Sequence, residues 1–196
     1  MGKKIFLMTA VFILVFTGYL FAQEFSADVV TTSKDGNFTG KLYVAKDKVR
    51  MENAQSIMIS RLDKNIMWLC LPDQKMYMEQ PIDMSSFAAS AEKMPGEINR
   101  ELMGQEEVDG QITDKYKVSY SFQGSSGTTY VWITRDSNIP IKTQAGDGSW
   151  KMEYKNFQAG TQRADLFELP AGYQKLSMDT SMMGNMPMDL GDLGIQ

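Results

Sequence analysis

The sequence predicts a mainly β protein, a curved antiparallel sheet or incomplete β-barrel with a short helical cap. Three observations carry that reading. Between Lys41 and Pro81 the runs KLYVA, KVRME, SIMISRL, NIMWLCL and KMYME follow one another, split by AKDK, NAQ, DK and PDQ. Each run is short and rich in β-branched, aromatic and Met side chains, and each break holds polar turn formers. Further on, KYKVSYSF alternates cleanly: Tyr116, Val118, Tyr120 and Phe122 share one side, and Lys115, Lys117, Ser119 and Ser121 the other. Hairpin turn chemistry recurs as well, at Lys34-Asp35-Gly36-Asn37 and at Gly124-Ser125-Ser126-Gly127.

The N-terminal residues predict export. Lys3 and Lys4 precede an apolar run from Ile5 to Phe16, Thr17-Gly18-Tyr19 breaks it, and Ala22 places a small residue before Gln23. That is the layout of a signal peptide over residues 1–22, cleaved near Ala22. The competing reading is a membrane anchor, since residues 5–22 are just long enough to span a thin bilayer. No cysteine follows the run, which argues against lipid attachment there.

One domain is expected over residues 23–177. Phe25–Ser33 forms its first strand, with Phe25, Ala27 and Val29 on one face, and Phe38–Ala45 answers it as a hairpin. The strand ladder follows and ends at Pro81. Residues 83–94 change period: Asp83 or Ser85 offers an N-cap, Phe87, Ala88, Ala91 and Met94 recur at helical spacing, and Pro95-Gly96 stops the pattern. This is the expected cap, either a mobile lid or a simply packed helix. Glu97 to Gly104 reads as a loop. Strands resume over Gln105–Asp109, Ile112–Phe122, Thr128–Arg135, Ile139–Gln144 and Trp150–Phe157, with Pro140 at a strand start. The count is about ten strands. Ala164–Phe167 reads as a single turn, and Leu169–Tyr173 leads into a last extended segment. Residues 178–196, with Met178, Met182, Met183, Met186 and Met188 among Gly, Pro and Asp, show no period and read as a flexible tail.

Composition narrows the function. The chain has no histidine and one cysteine. Histidine-dependent triads and most zinc sites are therefore unavailable, and no enzyme or cofactor is expected. Glu106-Glu107 and the pair Asp63 and Asp73 read as surface charge in loops or turns. The formal charge is −4, and loss of Lys3 and Lys4 takes it lower, so nucleic acid is not an expected partner. Cys70 sits in NIMWLCL and reads as a buried, inert thiol with no disulfide partner in the chain.

The order of these segments carries a resemblance. A hairpin, then KVRME, RLDKNIMW and LPDQKMY, then YVWITRDSNIPIK and finally FELPAGY follow one another over Phe25 to Leu176. This resembles the LolA-like superfamily of periplasmic lipoprotein carriers, especially its uncharacterised relatives of the outer-membrane lipoprotein-sorting type. The resemblance implies a half-barrel capped by helices, enclosing an apolar cavity for acyl chains. It also implies an arginine within that cavity, for which Arg50 is the nearest positional match and Arg61 the second. An ordinary solvated or strand-edge arginine is the competing reading of both.

Residues that line such a cavity are expected to be inward-facing aromatics and Met: Val49, Met51, Trp68, Val118, Tyr120, Phe122, Tyr130, Trp132, Trp150, Met152 and Tyr154. Sixteen Met, three Trp and eight Tyr favour an adaptable cavity over a dry core built from the same side chains. The expected function is a monomeric periplasmic carrier or binding protein for a lipid or an acylated lipoprotein. The alternatives are an envelope protein-interaction module and a copper binder acting through the Met-rich tail, where thioethers are soft ligands.

Overall fold

The computed structural model describes residues 23–34, 36–82, 94, 96–122 and 124–176. The expected signal peptide, all of the expected helix except Met94, and the Met-rich tail lie outside the described residues.

Twelve strands form one sheet: β1 Phe25–Ser33, β2 Gly36–Ala45, β3 Lys48–Glu52, β4 Ile57–Arg61, β5 Ile66–Leu71, β6 Met76–Pro81, β7 Glu97–Val108, β8 Gln111–Phe122, β9 Ser125–Thr134, β10 Pro140–Ala145, β11 Trp150–Ala159 and β12 Gln174–Lys175. Their order across the sheet is β12-β6-β5-β4-β3-β2-β1-β11-β10-β9-β8-β7. The sheet is curved and open. Two meanders, β2 to β6 and β7 to β11, meet on the central strand β1, because β11 returns to pair with it. All pairings are antiparallel except that of β12, which runs parallel to β6.

Directly opposed residues in an antiparallel pair share a face. One face, here face A, carries Phe25, Ala27 and Val29, with Leu42 and Val44 opposite them on β2 and Met51 and Val49 on β3. These side chains form the largest apolar cluster with Met152, Tyr154, Ile139 and Ile141. A one-residue shift in β10 between Pro140 and Lys142 sits at the end where Trp132 and Val108 join it.

The other face, face B, is covered over β2 to β6 by the C-terminal segment. Ile59, Trp68, Cys70 and Ala45 pack there against Phe167, Leu166, Leu169 and Tyr173. Cys70 is fully buried and free, and burial pushes its thiol up from its ordinary value. Two arginines hold the covering turn, Ala164–Phe167. Arg50 donates to the Leu166 carbonyl at 3.0 Å while its fork holds Glu52. Arg61, 4% exposed, donates to the Phe167 carbonyl at 3.2 Å and to Glu168 at 2.5 Å, and grips Asp63 with its other two nitrogens.

The structure corrects three expectations. Glu97 to Gly104 is the first part of β7, a twelve-residue edge strand. Its two bulges, between Glu97 and Asn99 and between Leu102 and Gly104, and its exposed side chains remove the alternation by which strands are recognised. Glu106 and Glu107 are accordingly strand residues, not loop residues. Gly124-Ser125-Ser126-Gly127 is not all turn either, since β9 begins at Ser125, opposite Phe122.

Replacing Arg61 by Ala removes a fork that ties two carboxylates and a backbone carbonyl in a nearly buried setting. The expected cost is about 2 kcal/mol in urea unfolding. Arg61→Lys should recover less than half of it, because an ammonium lacks the planar fork. A loss below about 0.5 kcal/mol for Arg61→Ala would show that the clamp does not hold the turn.

Candidate functional site

Across β2 to β6, face A carries a row in direct register: Leu42, Met51, Met58, Leu69 and Met78. Met67 and Leu71 flank Leu69 on β5, and Met76 lies opposite Leu71. The row exists because of two short 3-10 turns, Leu62–Lys64 and Pro72–Gln74. Each ends in a left-handed residue, Asn65 at φ 54° and Lys75 at φ 49°. The matching turns keep parity through β4, β5 and β6, so thioether and leucine side chains stay on one face.

Exposure grades along this row. Leu42 is fully buried and Met51 is 8% exposed, whereas Met58, Leu69 and Met78 are half-buried. Met67, Leu69, Leu71, Met76 and Met78 belong to none of the three apolar clusters of the described residues. At the far end of the sheet, face A of β8 and β9 is packed by Met94, which sits on Val118, Val131, Ile133 and Tyr116.

The predicted lining residues divide between the two faces. Val49, Met51, Val118, Tyr120, Phe122, Trp150, Met152 and Tyr154 fall on face A. Tyr130 and Trp132 have the register parity of Lys117 and Lys115, that of face B, yet Trp132 is buried in the largest apolar cluster and Tyr130 packs against it. Trp68 is on face B in the cluster under the C-terminal turn, and its indole donates to Glu79 at 2.9 Å. Arg50 is also on face B, engaged with Glu52 and Leu166. Met58, Met67, Leu69, Leu71, Met76 and Met78 were not among the expected lining residues. Their signal in the sequence is parity with Met51.

Trp132 is locked where it stands. Its indole donates to Glu106 at 2.6 Å, and the Lys115 and Lys142 ammonium groups lie 4.8 Å and 4.3 Å from its ring centroid. An open depression of about 560 Å³ gathers Tyr120, Tyr130 and Trp150 near the tips of β8 to β11. Its other walls are Lys117, Ser126, Thr128, Asp147 and Ser149, so it is polar rather than a greasy pocket. Gly127 allows the close approach there, since a Cβ would meet the Tyr120 hydroxyl at 2.8 Å. No group of three or more His, Cys, Asp or Glu among the described residues could hold a metal ion.

Residues 26–139 match the family model described as a domain of unknown function, DUF4412. The chain belongs to the DUF4412 family. The match runs from β1 through β9 and so takes in the whole methionine-rich row. No curated protein matches the sequence. Among solved structures, the chain resembles MucB in the Pseudomonas aeruginosa MucA/MucB complex, at 15% identity and a TM-score of 0.53 over 78% of this chain and 58% of that one. It resembles MucB alone at 16% identity and a TM-score of 0.52, over 78% and 61% of the two chains. This DUF4412 chain therefore spans less than two thirds of MucB. A weaker likeness, at 15% identity and a TM-score of 0.40, is to the lipoprotein LppX of Mycobacterium tuberculosis, over 70% of this chain and 88% of that one. What these likenesses show is the fold, shared with MucB.

Glu106 gives a pH signature. The Lys115 ammonium first, and the Trp132 indole second, hold its carboxyl below its ordinary value. A depressed carboxyl contributes stability above its unfolded pKa and loses it as pH falls through the folded value. Stability should therefore drop on acidification below about pH 4.3, and Glu106→Gln should flatten part of that drop. Identical acid profiles for the two proteins would dissociate Glu106 from Trp132 in solution.

Proposed function

We propose that this protein is a carrier or binding protein of the bacterial envelope that holds a hydrophobic ligand, a lipid or the acyl chains of a lipoprotein, on face A. The observation that carries the reading is the row of Met58, Leu69 and Met78 with Met67, Leu71 and Met76 beside it. These are apolar and half-buried, and all but Met58, which packs at the margin of the main cluster, stand outside the packed clusters. From β4 to β6 the half-buried part of the row crosses two interstrand spacings, about 10 Å, room for a stretch of acyl chain. Each methylene that leaves water gains about 0.8 kcal/mol. Unbranched thioether side chains re-pack around ligands of different shape, which suits passive binding and release. Nothing in this mechanism calls for covalent chemistry.

The fold shared with MucB favours a second reading, a protein partner, because MucB has been crystallised with MucA. The edge strand β7 exposes Ile98, Leu102 and Met103, which would be the contact surface for such a partner.

Uptake of a fluorescent fatty acid separates the residues that matter. Leu69→Asp and Met78→Asp should each weaken uptake at least tenfold, with an unchanged β-sheet circular dichroism spectrum. Trp132→Phe, on β9 and far along the sheet from the row, should leave uptake unaltered. Uptake retained in both aspartate variants would remove the methionine row as the site. Loss in Trp132→Phe alone would move the site to the β8 to β10 end of the sheet.

A further inference from the structure

We propose that Thr31 and Thr143 form a subsite for the carbonyl oxygens of acyl linkages, so that face A selects an acyl ester or amide over a bare hydrocarbon chain. The inference rests on the reading of face A as the ligand site and names the ligand class it takes.

Among the described residues three buried side-chain oxygens make no hydrogen bond: Thr31 Oγ1, Thr143 Oγ1 and Asp114 Oδ1. All three belong to face A. Thr31 and Thr143 both lie opposite Met152, and Asp114 lies opposite Ile133 on the parity of Val131. The Asp114 carboxylate has Arg135 at 3.7 Å, so its charge is answered. The two hydroxyls have no such partner, and Thr143 is 2% exposed. Face B treats buried threonines differently. Thr113 Oγ1 donates to the Glu106 carbonyl at 2.6 Å, and Thr134 Oγ1 shares a hydrogen bond of 2.5 Å with Ser137.

An orphaned buried hydroxyl is a penalty that valine, of the same shape, would not carry. It becomes an asset when a ligand supplies the missing acceptor. The surroundings set the chemistry of that acceptor. Thr31 has Phe38 and Met152 directly across from it, and Thr143 has Met152 and Val131, so no charged side chain is directly opposed to either. Lys142 and Lys151, the nearest in sequence, project from face B. A neutral carbonyl suits two hydroxyls in this setting, and a phosphate or carboxylate does not. The hydroxyls stand on strands two spacings apart, about 10 Å, so each takes a separate acceptor. Met152, between them, is the unbranched side chain that gives way as the ligand enters.

The test compares a dioleoyl ester glycerophospholipid with its di-O-oleyl ether analogue, which keeps the chains and headgroup but lacks both carbonyls. Binding is read by native mass spectrometry of the full chain. The wild-type protein should prefer the ester by about tenfold. The double variant Thr31→Val/Thr143→Val should lose that preference while binding the ether lipid as the wild type does. It should also melt at the same or a higher temperature, since it removes orphaned hydroxyls and not a contact. Equal wild-type binding of ester and ether overturns the subsite and leaves face A as the ligand site. Binding of neither lipid overturns both. An ester preference that survives in the double variant places carbonyl recognition elsewhere and overturns the assignment to these threonines.

Discussion

A single sheet of twelve strands has two faces to cover and one chain with which to cover them, and the way that requirement is met shapes the rest of the molecule. Over β2 to β6, face B is closed by the chain's own C-terminal segment: Phe167 is 1% exposed beneath the turn that Arg50 and Arg61 hold through its carbonyls. That tie joins β3 and β4 to residues more than a hundred positions along the chain. β12, laid parallel on β6, extends the same segment along the sheet edge. Over β8 to β11, face B is closed by lysine stems instead. Lys115 and Lys142 lie across Trp132 and keep their charged ends at Glu106 and Glu153, which is how long cationic side chains cover apolar surface. Face B is thus closed along most of the sheet by the chain itself, while the methionines of β4 to β6 on face A are left half-buried.

This division was only half legible in the sequence. The strand ladder from Lys41 to Pro81 was readable because each break carries turn formers and each run is short. The alternation of Tyr116, Val118, Tyr120 and Phe122 also survives intact in β8. The edge strand β7 was not readable. An edge strand with both faces open has no burial to impose a period, and its bulge at Gly104, with φ 134°, shifts what alternation remains.

The site suffered from a different limit. Picking aromatic residues strand by strand leaves the parity between strands undetermined. Phe122 pairs with Ser125 across a two-residue loop, and that single register gives Tyr130 and Trp132 the parity opposite to that of Val118. By the same logic the two left-handed turn ends, at Asn65 and Lys75, bring Leu69 and Met78 onto the face of Met51. Lysine is not an obvious residue for a left-handed position, so the equivalence of the two turns is visible in the backbone and not in the residue types. Parity in a meander accumulates through every loop, and one misjudged turn inverts all later residues.

Methionine occurs both within the core and beyond it. Met51 and Met152 sit in the main cluster and are nearly buried. Met58 touches that cluster from its margin, while Met67, Met76 and Met78 stand beyond it. A core built only for stability favours leucine and isoleucine, whose rotamers are few and whose packing is specific. Grading from leucine and valine near β1 and β2 to methionine over β4 to β6 trades that specificity for a surface that adapts. The orphaned hydroxyls of Thr31, on β1, and Thr143, on β10, follow the same logic. On the proposed reading of face A, both features cost stability in the empty protein and are repaid when something apolar, with acceptors to offer, lies along it.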